Sequence, residues 1–274
     1  MKRTIFCILI VICTIVLYST DLKEIKENNC IRHLGINYAN FITGSGDGFS
    51  VELIQMFAEY LGVKYEFVSS DWDVIIPALT GTGIKGKEGD VICTGMTVLP
   101  WRAELVDFSE PTFPTQVWMI TQQDSPIKPI KPSGSIEKDR KNTREKMKDI
   151  KIIVVENTCL DPKLYGLGDS GFNFVAFDGS VTEVAPAMIS GLADAAFLDV
   201  AEALLALSKW PDKIKVIGPV SDKQITAAAF AKDSPDLKRE FNKFLGVIHK
   251  DGRYNKLVEK YYPFVKEYFP EFFQ

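Results

Sequence analysis

The chain is poor in the residues that build most metal and nucleophile sites. Its 274 residues include only two histidines, His33 and His249. They lie far apart with no neighbouring acid or cysteine pairs, which leaves a structural metal or a histidine-based triad without its parts. Cysteine is scarce too. Of five, Cys7 and Cys13 fall in the first twenty residues, and Cys30, Cys93 and Cys159 are widely spaced with no Cys-x-x-Cys. An odd set of three at such spacings is no disulfide framework, and the three read as buried free thiols. An excess of positive charge is also missing: 32 lysines and arginines face 36 acids, for a net charge of −4. Nothing here resembles a basic nucleic-acid surface, and a purely electrostatic hold on an anionic membrane is disfavoured. A small anion-binding pocket is not excluded. No cofactor is called for.

What is present is the composition of a soluble globular protein, 46% hydrophobic and 25% charged, with length for one or two domains. Residues 1–20 read as a signal peptide: Lys2 and Arg3 form a positive n-region, Thr4–Tyr18 is an apolar run, and Ser19 and Thr20 are small residues at a cleavage position. The run is short for a spanning helix, which needs roughly 20 apolar residues; an uncleaved anchor is the rival reading. Ile12 before Cys13 is not the small residue that lipidation wants. Loss of Lys2 and Arg3 with the leader would bring the net charge to −6.

After a polar connector at Asp21–Asn29, the chain alternates strand and helix. Strands are expected at Ile31–Ile36, Val63–Val68 and Asp90–Thr94, and helices at Ser50–Leu61 and Val74–Leu79. The first of these helices is signalled by Val51, Ile54, Phe57, Ala58 and Leu61 on one face, with Gly62 to end it. Phe108–Thr115 reads as a Pro-rich crossing and Val117–Thr121 as a strand. A charged loop follows, with one surface helix near Asn142–Lys148. A second βα series runs from Lys151 to Ile217, with a second extended crossing near 223–231. C-terminal helices at Leu237–Asp251 and Tyr254–Tyr261 precede an aromatic tail, Pro263–Gln274, expected to pack on the protein. Two βα series joined by two crossings predict two α/β lobes, a cleft where strand ends and helix N-termini meet, and closure by hinge bending. Lobe 1 is expected to be residues 30–114 plus 228–274, and lobe 2 residues 115–227.

The stretch Gly89–Ser109, GDVICTGMTVLPWRAELVDFS, concentrates the chemistry. A short strand runs through a turn at Gly95 into a helix opened by Pro100, a residue at home in a first helical turn. Backbone N–H groups there converge as an anion would require. Thr97 adds a hydroxyl, and Arg102 a planar fork that matches a carboxylate. A carboxylate clamp of Gly95, Thr97 and Arg102 is the expectation; a surface arginine beside a turn threonine has the same spacing.

Five blocks, in order and with consistent gaps, carry a family resemblance: GFSVELIQMFAEYLGV, DWDVIIPAL, GDVICTGMTVLPWRAELVDFSEP, GLADAAFLD and HKDGRYNKLVEKYYP. From about Ile31 to Tyr262 the chain resembles the bacterial extracellular solute-binding proteins of family 3, which present polar amino acids to ABC importers. The resemblance implies a two-lobed, type II periplasmic-binding-protein-like α/β fold. It also implies a monomeric, non-catalytic, periplasmic protein that hands a small amino acid or similar zwitterion to an inner-membrane permease. By position, Arg102 resembles the arginine that pairs with the ligand α-carboxylate, with Gly95 and Thr97 beside it. Asp199 resembles the acid that holds the α-ammonium from the other lobe, and it also suits the N-cap of the following helix. Thr158 resembles the threonine that faces the carboxylate from lobe 2. Trp72 takes the place of the aromatic platform, with Tyr38 and Phe41 as the opposite wall or as ordinary core.

Some positions depart from that pattern. The first loop, NYANFITGSGDGF, is short. Asn37 stands where an acid often reads a cationic side chain, which weakens an arginine, lysine or histidine ligand. Asn157 replaces a glycine, and Asn tolerates left-handed backbone. Leu99 stands where a capping hydroxyl is frequent. Two other classes share the fold: a cyclohexadienyl-dehydratase-like enzyme using Glu156 or Asp199, and a ligand-binding partner of a sensor. No pair of acids in the sequence obviously separates in pKa as an enzyme would want.

Overall fold

The computed structural model describes residues 21–273; the leader assigned to residues 1–20 lies outside them. No helix among the described residues is long and apolar enough to cross a membrane.

Two five-stranded mixed sheets make up the fold. The first is formed by β1 (Cys30–Gly35), β2 (Lys64–Ser69), β3 (Val91–Ile92), β4 (Asp107–Thr115) and the late strand β10 (Gln224–Phe230), in the order β2-β1-β3-β10-β4. The second is formed by β5 (Val117–Gln122), β6 (Lys151–Val154), β7 (Asn173–Ala176), β8 (Ala195–Asp199) and β9 (Ile214–Pro219), in the order β7-β6-β8-β5-β9. Within each sheet the βα units run parallel, as β1 does to β2 and β3, and the strands next to the crossings run antiparallel. That is the two-lobed α/β arrangement expected. Pairing begins at Gln224 in β10, so the segment linking β9 to β10 is 220–223, at the N-terminal edge of the crossing expected near 223–231.

The periodic helices form where the apolar spacing put them. In α2 (Phe49–Leu61), Leu53, Ile54 and Phe57 are fully buried, and Gly62 at φ 72° closes the helix by donating to Ala58 and Glu59 carbonyls. Left-handed backbone is free of Cβ strain in glycine, hence the stop. Further along, α3 (Ile75–Thr80), α4 (Pro100–Ala103), α5 (Ile136–Glu145), α6 (Val184–Ile189), α7 (Val200–Lys209), α8 (Pro235–Lys250) and α9 (Arg253–Tyr261) complete the layers. The aromatic tail packs back as expected through α10 (Val265–Tyr268): Val265 and Phe269 are buried and the Tyr268 ring lies 5.0 Å from that of Trp118.

Three elements differ from expectation. Asp21–Asn29 is not a connector: Leu22–Asn28 is a helix (α1). Asp21 accepts from Leu22 N (2.8 Å) and also from Leu237 N (2.8 Å) at the start of α8, and Ile25 buries fully. One acid thus caps two helices, a tertiary relation that no local window contains. Phe108–Thr115, read as a Pro-rich crossing between the series, is most of β4 and pairs within the first sheet. Pro111 and Pro114 are tolerated because β4 is a sheet edge whose pairing with β10 is bulged. The surface helix of the charged loop lies six residues earlier than expected, starting at Ile136 behind the N-cap Ser135.

The two crossings are tied to each other. Gln116 Nε2 donates to Ser221 O (3.0 Å), Val117 N to Ser221 Oγ (2.9 Å) and Val220 N to Val117 O (2.8 Å). Such paired strands bend together, which suits a hinge.

Candidate ligand-binding site

The clamp segment is built around close packing. After β3 the chain turns at Gly95, whose φ is 68° and where a Cβ would fall 2.3 Å from the Phe41 ring. Glycine is therefore required twice over. Thr97 bridges to Thr226, and Leu99 leads into α4 with no side-chain cap. Only four residues long, α4 contributes little dipole, so attraction for an anion rests on the arginine it carries rather than on helix amides.

Arg102 is 5% exposed. Its Nη1 donates to Thr97 O (3.0 Å), its Nε has no partner, and its guanidinium carbon lies 5.5 Å from the Trp72 ring centre and 5.0 Å from that of Trp101. Burial lowers its pKa, opposed by the nearby Cys159 and Tyr165 rather than by any carboxylate. A buried guanidinium with no acid beside it is a costly arrangement for folding alone.

A narrow cavity of about 20 Å³ meets Arg102 and gathers Tyr38, Trp72, Gly95 and Thr97 from the first lobe with Thr158, Cys159 and Val181 from the second. Six of the nine expected site residues thus converge. The other three are placed differently. Phe41 is 1% exposed and packs edge-on against Phe49 and Phe113, with Tyr262 tilted beside it. It supports Gly95 from below instead of forming the wall, because an aromatic ring fills the space a side chain at 95 would take. Tyr38, stacked on Phe41 and edge-on to Trp72 at 5.9 Å, lines the narrow cavity itself. Asn37 lines an adjoining cavity of about 430 Å³ between the lobes. Asp199 stands one residue back from the narrow cavity, behind Cys159, whose Sγ lies 3.9 Å from Asp199 Oδ2.

Asp199 ends β8 and caps α7, accepting from Glu202 N (3.1 Å). It is 4% exposed, and burial pushes its carboxyl up to about 6. Three residues on, Glu202 is pushed to about 7 by burial and by Asp199. A buried acid pair therefore stands at the start of α7. The sequence did carry one sign of it: Asp-x-x-Glu is a capping-box spacing. Here, however, the glutamate leaves its own helix and accepts from Ala39 N in the first lobe (2.9 Å).

Thr158 differs from expectation in its hydroxyl. Its Oγ1 donates to Val155 O (2.7 Å) and accepts from Leu160 N (3.0 Å), so the hydroxyl shapes its own turn. Asn157 before it adopts φ 59°, which the asparagine allows. Cys159, read from sequence as an inert buried thiol, lies on the cavity against the Thr97 side chain. Its only signal was adjacency to Thr158.

The 430 Å³ cleft carries Asp71 and Asp73 from one lobe and Glu156 and Asp178 from the other, with no lysine or arginine among its lining residues. Glu156 is partly answered by Lys163 at 3.2 Å on the surface. A third cavity, about 560 Å³ and mostly apolar, flanks Arg102 on the side of Met96, Trp101 and Leu105.

The family model for bacterial extracellular solute-binding proteins, family 3, matches residues 37–264. The chain belongs to that family. This solute-binding protein is 26% identical over 234 residues to the lysine/arginine/ornithine-binding periplasmic protein of Escherichia coli, covering 79% of each chain. It is 30% identical over 218 residues to the octopine-binding periplasmic protein of Rhizobium meliloti, covering 72% of this chain and 70% of that one. Among solved structures, a mutant of ArgBP from T. maritima superposes with a TM-score of 0.72 at 27% identity, over 88% of this chain and 99% of the other. These relatives are named as binding proteins and two of them as periplasmic.

Proposed function

We propose that this solute-binding protein captures an amino acid with a cationic side chain, of the arginine, lysine or ornithine kind, between its lobes. We further propose that it does so as an exported, non-catalytic monomer that delivers the ligand to an ABC permease. The observation that carries the reading is Arg102: a buried guanidinium, lacking any acid partner among the described residues, on a cavity that both lobes line. A ligand carboxylate supplies the missing countercharge in bidentate geometry. The ligand ammonium then lies toward Asp199, a buried acid that gains an ion partner. The side chain passes Trp72 and Tyr38 into the cleft of Asp71, Asp73, Glu156 and Asp178, where several carboxylates and no cation favour a positive end. These acids offset the absence of one at Asn37. The names of the relatives, lysine/arginine/ornithine-binding, octopine-binding and ArgBP, agree with that polarity.

Isothermal titration of the purified protein against the common amino acids, ornithine and octopine tests the reading. L-arginine, L-lysine, ornithine or octopine is expected to bind and L-glutamate is not. Folded protein that binds no amino acid would remove the proposal; tight binding of glutamate would remove its cationic part.

A further inference from the structure

Glu202 joins the two walls of the ligand site, a role the clamp itself does not require. It stands on α7, the helix that Asp199 caps in the second lobe, yet its Oε1 accepts from the backbone of Ala39 in the first lobe at 2.9 Å. The bond is buried, Glu202 being 5% exposed. Ala39 follows Tyr38, which lines the narrow cavity, and adopts φ 46°. Left-handed backbone is unfavourable for an alanine, and the bond to its amide helps to hold the loop in this shape. The next amide is held as well: Asn40 N donates to Tyr262 Oη at 3.0 Å and Asn40 Nδ2 to Tyr261 O at 2.9 Å. Those bonds stay within the first lobe and its C-terminal helices. Among the described residues, the bond to Glu202 is the one that crosses from this loop to α7.

We propose that Glu202 is a positioning residue for the ligand site: an interlobe latch that fixes the Asn37–Phe41 loop, and with it Tyr38, against the helix bearing Asp199. Resting on the ligand-capture reading above, the latch acts mainly on release, since the contact completes the closed site and contributes little to first encounter. An amide oxygen accepts the same N–H, so Glu202→Gln keeps the latch and Glu202→Ala removes it.

The test has one arm without ligand and one with it. Hydrogen exchange of the ligand-free protein compares the segment 37–42 in wild type and the two variants, with the rest of the chain as the internal control for folding. Expected is faster exchange in 37–42 for Glu202→Ala, by about tenfold, with wild-type behaviour in Glu202→Gln. Stopped-flow kinetics with L-arginine as probe is expected to show dissociation about tenfold faster in Glu202→Ala, association within about threefold, and recovery in Glu202→Gln. Wild-type exchange in 37–42 in Glu202→Ala overturns the latch, and so does an unchanged dissociation rate in that variant. An equal change in association and dissociation overturns it as well. If L-arginine binds none of the proteins, the cationic-ligand reading fails while the exchange arm still decides on the latch.

Discussion

Arg102→Met is expected to weaken ligand binding strongly while leaving the ligand-free fold about as stable as before. In the folded chain the guanidinium is 5% exposed, has an unpartnered Nε and meets no carboxylate. Methionine preserves the unbranched stem and packs against aromatic rings. The substitution removes one charge-assisted bond to Thr97 O, worth about 1.5–3 kcal/mol. It also removes cation–π contacts with Trp72 and Trp101, each about 0.5–2 kcal/mol. Against these losses, it relieves the several kcal/mol that an unpaired buried charge costs. The terms are of like size and opposite sign, so unfolding free energy should change by less than about 2 kcal/mol in either direction. Binding has no such compensation. A ligand carboxylate that enters the cavity without its guanidinium is stranded, at a cost of about 3 kcal/mol or more, which is roughly 150-fold in Kd. Urea unfolding of the ligand-free variant, paired with calorimetric titration of whichever amino acid binds wild type, measures both numbers. A stability loss above about 4 kcal/mol with Kd within threefold of wild type would refute the reasoning and make Arg102 a structural residue.

Ligand affinity should fall as pH drops from 8 to 5. Burial has raised the Asp199 carboxyl to about 6, and the proton it takes up removes the charge that would attract the ligand ammonium. Titration in buffers of different ionisation heat should show proton release on binding, reduced in Asp199→Asn; equal release in that variant would remove Asp199 from the ammonium site. Gly95→Ala should destabilise the fold by about 2–3 kcal/mol, through left-handed backbone and collision with Phe41; a thermal midpoint equal to wild type would contradict the packing. His33 is fully buried, with Nε2 donating to Cys93 O (2.6 Å) and Nδ1 accepting from Tyr65 Oη (2.9 Å), and burial lowers its pKa to about 4. The unfolded chain binds that proton near 6.5, so the His33 contribution to stability is complete above 6.5 and is lost as pH falls toward 4. His33→Gln should flatten the acid limb of the stability profile over that window, and an unchanged slope would be the contrary result.

Periodic features were legible because their cause is local. The apolar face of α2, the stop at Gly62, the strand into the Gly95 turn and the left-handed asparagine at 157 each follow from a few consecutive residues. So did the alternation that implies two α/β lobes with two crossings. Where a cap or a partner comes from far along the chain, local reading failed. Asp21 caps α8 from more than two hundred residues away, so α1 looked like a linker. Phe108–Thr115 read locally as a Pro-rich crossing, and only the sheet order shows it as most of an edge strand, β4.

The site divides along the same line. By itself the sequence marked a candidate arginine after a tight turn, and its resemblance to the family added an acid after an apolar strand and three aromatics as candidates for holding a zwitterion. Only the tertiary structure decided which of them share a cavity. It sent Phe41 under Gly95, set Cys159 between Arg102 and Asp199, and turned Glu202 away from its own helix toward Ala39. The physical reason is burial. A residue type sets what a side chain can donate, accept or carry, whereas its charge state and its partner depend on what surrounds it once water is excluded, and those surroundings come from both lobes at once.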